Sequence, residues 1–222
     1  MAEFLGSLLL AATVVGSGIM GERLSDGNAA VALLANSAAT VAVLGVLITL
    51  LAPISGAHFN PAVTLVMVLR GLTARSEGMT YFAAQILGCC AGSILANAMF
   101  EHPLIELSTR PRTGVAQWLA EFVATFGLLL VILLHRPGRG TAWLVAAWIG
   151  AAYWFTASTS FANPAITIGR TLSDSFAGIR PGDASAFVVA QFMGAVAALP
   201  LAKWLVGSEA ATRRAPREGG VP

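Results

Sequence analysis

The chain has 222 residues, of which 56% are hydrophobic and 11% charged, against about 25% charged in soluble domains. That composition excludes a water-soluble globule and leaves a polytopic membrane protein. A formal net charge of +2, with Lys and Arg scattered along the chain, offers no basic face, so nucleic acid is excluded as a partner.

Six apolar runs are long enough to span a hydrocarbon core, at about residues 4–20, 29–51, 80–100, 116–134, 142–158 and 185–206. The first carries Glu3 in place of a basic leader and continues as a span, so it reads as a retained helix and not as a signal peptide. Between the second and third runs lies GAHFNPAVT, Gly56 to Thr64; between the fifth and sixth lies SFANPAITIGR, Ser160 to Arg170. In both, Asn-Pro suits a helix start: Asn60 and Asn163 are capping residues, and Pro61 and Pro164 occupy the first helical position, where no N–H is needed. From Pro61 to Arg70 there is room for about ten helical residues, roughly 15 Å, half the hydrocarbon thickness. These segments are expected to be re-entrant half-helices.

The halves share one pattern, three spans with a half-helix before the third. AEFLGSLLL at Ala2 answers AEFVATFGLLL at Ala120, and YFAAQILG at Tyr81 answers FVVAQFMG at Phe187. Three spans per half is odd, so the second half is inserted upside down, and the two half-helices meet N-terminus to N-terminus at the midplane. The expected fold is all-α: one channel domain over residues 1–206, with repeats at about 1–100 and 116–206 in inverted orientation. The segment 207–222, rich in Gly, Ala, Arg and Pro, reads as a disordered tail. The end of the bundle bearing the termini collects Arg70, Arg75, Arg136, Arg139, Lys203, Arg213, Arg214 and Arg217, and the other end Arg23, Arg110, Arg112, Arg170 and Arg180. That bias puts both termini in the cytoplasm. Small residues at four-residue spacing, Gly88 and Gly92 or Gly194 and Ala198, read as helix-packing positions.

Little in the chain suggests reaction chemistry. There is no HExxH, GxSxG or nucleotide-binding loop, and no carboxylate pair within one apolar run, so neither enzyme activity nor a cofactor is expected. Cys89 and Cys90 are adjacent in an apolar run and read as small core residues. His58 has no second ligand in its loop, which favours a structural role over a metal site. Ion-coupled transport, the competing class, needs intramembrane charge; beyond Glu3 and Glu121 at helix starts the spans offer none. If each Asn oxygen caps its own half-helix, the amide NH2 remains as a donor toward the lumen. The positive half-helix ends oppose cations and protons at the midplane.

GAHFNPAVT and FANPAITIGR resemble the two signature loops of the major intrinsic protein family, the aquaporins and aquaglyceroporins, and the resemblance runs from AEFLG at Ala2 through FVVAQFMGA at Phe187. It implies a passive channel without metal or cofactor, usually a homotetramer in the lipid bilayer, here in the cell inner membrane. It makes Asn60 and Asn163 the pore-centre donors, Gly56, Ala57, His58, Thr159, Ser160 and Phe161 a ladder of carbonyl acceptors, and Glu3 and Glu121 supports for the loop backbone. By distance from each Asn, the constriction falls on Thr40, Ala151, Ser160 and Ile166. Ile166 stands where nearly every relative has Arg, which is similar to bacterial members associated with arsenic handling. The implied solutes are small and uncharged: glycerol-like polyols, neutral metalloid hydroxides such as arsenous acid, and water, with a water-selective channel as the alternative. Arg170, one turn beyond Ile166, is placed at the outer mouth, either drawing polar solutes inward or pairing with Asp174. Tyr153 and Trp154 are expected to pack rather than line the pore.

Overall fold

A computed structural model of the chain describes residues 1–135 and 140–214, which form eight α-helices, one 3-10 turn and no strand. In order these are α1 (Ala2–Leu24), α2 (Ala29–Ser55), α3 (Pro61–Leu69), α4 (Arg75–Met99), α5 (Val115–Leu134), α6 (Thr141–Phe155), α7 (Pro164–Gly169), the 3-10 turn Arg170–Leu172, and α8 (Pro181–Arg214). Five helices (α1, α2, α4, α5 and α8) are long and apolar enough to cross a membrane. The sixth expected span is shorter: α6 has 15 residues, about 22 Å, and ends at Phe155 because Thr156 turns to extended backbone, ψ 137°. Helix α8 runs past the expected start of the tail at Gly207 to Arg214; Arg136, Arg139 and residues 215–222 lie outside the described residues.

The long helices pack as two equivalent pairs, α1 on α4 and α5 on α8. Glycine makes both approaches possible. A Cβ on Gly88 would stand 3.0 Å from the Ser7 Cβ, and one on Gly92 would strike the Leu8 carbonyl and stand 2.9 Å from the Ala12 N. In the second pair Gly194 lies against the Phe122 carbonyl in the same way. Close backbone approach of this kind is how helices associate in lipid, where apolar burial gives no net drive. The outer face carries exposed apolar side chains such as Leu9, Leu50, Leu87 and Val189, the surface of a chain solvated by hydrocarbon. Cys89 is buried with its Sγ 3.7 Å from the Ser7 carbonyl, and Cys90 is half-buried; neither is in a disulfide.

Candidate functional site

The two Asn-Pro-Ala segments start helices as their chemistry dictates. Asn60 Oδ1 accepts from the Ala62 N–H at 2.9 Å, and Asn163 Oδ1 accepts from the N–H groups of Ala165 (3.0 Å) and Ile166 (3.3 Å). Each Asn then reaches across to the other loop: Asn60 Nδ2 donates to the Ala162 carbonyl and Asn163 Nδ2 to the Phe59 carbonyl, both at 2.8 Å. These reciprocal bonds join the starts of α3 and α7 and use one N–H of each amide, leaving the second.

The backbone leading into each Asn repeats one unusual conformation. Positive φ occurs four, three and one residues before the Asn in both loops: Gly56 (84°), Ala57 (51°) and Phe59 (48°) in the first, Thr159 (61°), Ser160 (50°) and Ala162 (47°) in the second. Left-handed conformations at non-glycine residues cost about 1–2 kcal/mol each, so something must hold them. Two buried carboxylates do. Glu3 accepts from the N–H groups of His58 (3.0 Å) and Phe59 (2.7 Å), from Ser55 Oγ (2.7 Å) and from Gln85 Nε2 (2.7 Å). Glu121 accepts from the N–H groups of Phe161 (2.9 Å) and Ala162 (2.8 Å) and from Gln191 Nε2 (2.6 Å). Gln85 and Gln191 in turn donate to Thr64 and Thr167 on the half-helices, at 2.9 and 2.8 Å. The two glutamines therefore belong to the loop scaffold; sequence reasoning gave them no role, although their place in the matched YFAAQILG and FVVAQFMG segments is a signal that could have marked them.

A cavity of about 300 Å³ runs past both loops. Its wall is built from four-residue steps: Leu10 and Val14 on α1, Thr40, Leu44 and Ile48 on α2, Val63 and Met67 on α3. The second half answers with Leu128 and Ile132 on α5, Thr141, Val145, Ile149 and Tyr153 on α6, and Ile166 and Arg170 at the far side. Measured from each Asn, Val63 matches Ile166 and Met67 matches Arg170. Asn60, Asn163, Gly56, Ala57, His58, Ser160 and Phe161 complete the polar part of the wall.

The family model described as major intrinsic protein matches residues 1–154. The chain belongs to the major intrinsic protein family. Aquaglyceroporin AqpS of Rhizobium meliloti (strain 1021) is 52% identical over 210 residues, covering 93% of this chain and 89% of its own length. The probable aquaporin TIP1-1 of Oryza sativa subsp. japonica is 34% identical over 153 residues, 66% of this chain but only 60% of its own length. The aquaglyceroporin of Plasmodium falciparum superposes with a TM-score of 0.65 at 20% identity, over 91% of this chain and 97% of that one, which gives the fold and no more.

For a major intrinsic protein of this sequence, the positions around the cavity differ from expectation at Ala151, at Tyr153, which was expected to pack, and at Thr159, and one of the two expectations for Arg170 fails. Ala151 is exposed and not part of the lining, whereas Tyr153, 3% exposed, lines it with its hydroxyl 3.1 Å from Thr40 Oγ1. The reason is phase: Tyr153 continues the step 141, 145, 149, and Ala151 lies about 200° round the helix from it. Trp154 is half exposed on the outer side and donates to Ser37 Oγ at 3.3 Å. Thr159, expected in the carbonyl ladder, is absent from the lining, while its neighbours Ser160 and Phe161 are present. Arg170 does not pair with Asp174, whose carboxylate accepts from the Thr109 N–H at 2.9 Å and from the Thr109 hydroxyl. Arg170 is instead 1% exposed, donates from Nε to the Ala177 carbonyl, and stacks its guanidinium 3.3 Å above the Phe161 ring centre. His58 contacts Thr64 Oγ1 through Nδ1 at 3.1 Å and meets the Tyr81 ring edge-on at 5.4 Å.

Arg112, an outer-end residue to which sequence reasoning gave no role at the site, braces the second loop. It donates from Nε to Gly178 O (2.8 Å), from one terminal nitrogen to Ser158 O (3.1 Å) and from the other to Phe176 O (3.3 Å), and its guanidinium stands 4.9 Å from the Phe161 ring centre. Burial, with the neighbouring Arg110 guanidinium, lowers its pKa to about 10, so it stays charged at neutral pH. Nothing near it in sequence signals this contact, which depends on a long connector folding back.

Proposed function

We propose that this chain is a passive channel for small uncharged polar solutes: glycerol-like polyols, neutral metalloid hydroxides such as arsenous acid, and water. Protons and cations are excluded. The observation that carries this reading is the composition of the cavity wall. Aliphatic stripes from α1, α2, α5 and α6 face a polar strip made of the free amide N–H of Asn60 and Asn163 and the loop residues Gly56, Ala57, His58, Ser160 and Phe161. Their N–H groups are engaged inside the protein, those of His58 and Phe161 by Glu3 and Glu121, those of Ala57 and Ser160 by the Ser55 and Ser158 hydroxyls, and that of Gly56 by the Ala52 carbonyl, so carbonyl oxygens are what remain as acceptors. A molecule with hydroxyls on one side and carbon or a metalloid centre on the other matches both walls. Exclusion of cations follows from the charges: among the described residues Arg170 lines the cavity and no Asp or Glu does, and the carboxylates of Glu3 and Glu121 are taken up by donors.

The constriction is assigned to Thr40, Tyr153, Ser160 and Ile166, with Arg170 one turn outward. Tyr153 supplies bulk that Ala151 would not, and this favours a second reading, a water-selective channel. The name of the 52% identical relative favours the first. Membership of the family supports a homotetramer, and the arginine bias between the two ends supports an inner-membrane topology with both termini cytoplasmic.

Stopped-flow light scattering on proteoliposomes tests the proposal. Glycerol and arsenous acid fluxes well above empty vesicles are expected, unaffected by pH or sodium gradients. Water flux alone selects the second reading, and gradient-driven accumulation rejects a channel. The pore centre has its own test: Asn163→Asp places a carboxylate where the two loops meet and offsets the local positive potential. Raised cation conductance in planar bilayers is the expected outcome; conductance equal to that of the unmodified protein counts against this pore centre.

A further inference from the structure

Arg170 presents a problem in physical chemistry that solute passage alone does not answer. It is a fully buried guanidinium, and such groups are normally paired. Among the described residues no carboxylate lies within ion-pair distance of it, and only its Nε has a protein acceptor, the Ala177 carbonyl. Glu121, the buried carboxylate of the same loop, is taken up by the backbone of Phe161 and Ala162 and by Gln191. Asp174 is taken up by Thr109, and Glu22 by Arg110 and the Phe176 N–H. A second cation adds to the imbalance: Arg112 stands over the same Phe161 ring, bonded only to neutral oxygens through its own side chain.

We propose that the terminal nitrogens of Arg170, held by Phe161 and supported by the charge of Arg112, bind a small planar monovalent oxyanion of the carboxylate type at the outer end of the cavity, where it competes with the neutral solute for passage. The fit is chemical. With Nε fixed by Ala177, the remaining edge of the guanidinium is the two-nitrogen fork that grips a carboxylate through parallel charge-assisted bonds. Stacking on Phe161 fixes the plane of that fork. The partner must be small, since the whole cavity holds about 300 Å³. It is retained at the mouth because aliphatic stripes line the path beyond it. One such fork, competing with water, corresponds to a dissociation constant on the order of millimolar.

This inference rests on the cavity being the solute path, and the experiment separates the two. Glycerol efflux from proteoliposomes is followed at neutral pH and constant ionic strength with about 2 mM sodium formate, about twice that dissociation constant, or with sodium gluconate, which is too bulky to enter. Formate is expected to slow efflux about threefold and gluconate to leave it unchanged, with the formate effect lost in Arg170→Gln. Equal effects of the two anions, or formate inhibition that survives in Arg170→Gln, overturn the proposal. Binding is read independently by labelling the unmodified protein with butane-2,3-dione, a small neutral arginine reagent, and following adduct formation at Arg170 by mass spectrometry. Formate is expected to slow that adduct about threefold relative to gluconate, and no protection overturns the site even if Arg170→Gln fails to fold. Protection by formate in a protein with no glycerol or water flux leaves the anion site standing and rejects the channel reading instead.

Discussion

Glu121→Gln is expected to cost about 3 kcal/mol of stability and to abolish solute flux together with the fold of the second loop. The Glu121 side chain is fully buried and accepts three hydrogen bonds, two of them from the backbone of Phe161 and Ala162. Gln keeps the shape but replaces one acceptor oxygen by a donor NH2, which then faces either an N–H group or the Gln191 amide. A buried N–H left without an acceptor costs about 1–3 kcal/mol, and Ala162 and Ser160 also lose the support for their left-handed backbone. The measurement is a detergent-solubilised thermal midpoint alongside proteoliposome flux. A midpoint within a degree of the unmodified protein, with flux retained, would show that the loop does not depend on this carboxylate. Glu3→Gln is expected to act likewise on the first loop, since Glu3 serves His58 and Phe59 in the same geometry.

Ile166→Arg is expected to reduce glycerol flux at least about tenfold, equivalent to a barrier about 1.4 kcal/mol higher, while reducing water flux less than about threefold. Ile166 is 4% exposed, three residues after Asn163, in a wall shared with Thr40, Tyr153 and Ser160. A longer, charged side chain there takes volume from a narrow region and adds a second guanidinium one turn from Arg170, so the two cations repel. Water passes a smaller, more polar opening than glycerol does, and the difference between the two fluxes is therefore the readout. Ile166→Met separates length from charge: it is expected to lower glycerol flux only modestly. If Ile166→Arg changes both fluxes by the same factor, position 166 is not where solutes are discriminated.

How far these outcomes were legible in advance varies from residue to residue. The doubled Asn-Pro-Ala, the paired Glu3 and Glu121, and the matched Gln85 and Gln191 segments are local or repeated patterns, and each makes the same contacts in both halves of the structure. The exchange of bonds between Asn60 and Ala162, and between Asn163 and Phe59, follows once two half-helices are made to meet. Arg170 was placed one turn beyond Ile166 by helical arithmetic alone, but its partner was not: Asp174 is its sequence neighbour, and the 3-10 turn at Arg170–Leu172 breaks the i, i+4 relation that pairing needs.

The sequence by itself determined the inverted repeat, the half-helices and their capping, because these depend on residue type at fixed spacing within one segment. Tertiary structure decided which face of α6 meets the cavity. That helix is apolar all round, so no periodicity in TAWLVAAWIGAAYWF assigns an inner side. Its rotation is set by neighbours: Trp148 packs over Gly127 of α5 and donates to the Ala124 carbonyl at 2.9 Å, Trp143 lies over Gly45 of α2, and Gly150 receives Val41. With those three contacts made, Thr141, Val145, Ile149 and Tyr153 face inward and Ala151 and Trp154 outward. Arg112 was hidden for a related reason, since its acceptors at Ser158, Phe176 and Gly178 are 46 to 66 residues away in sequence. Fixed spacing within a segment carries no record of what another segment will press against it.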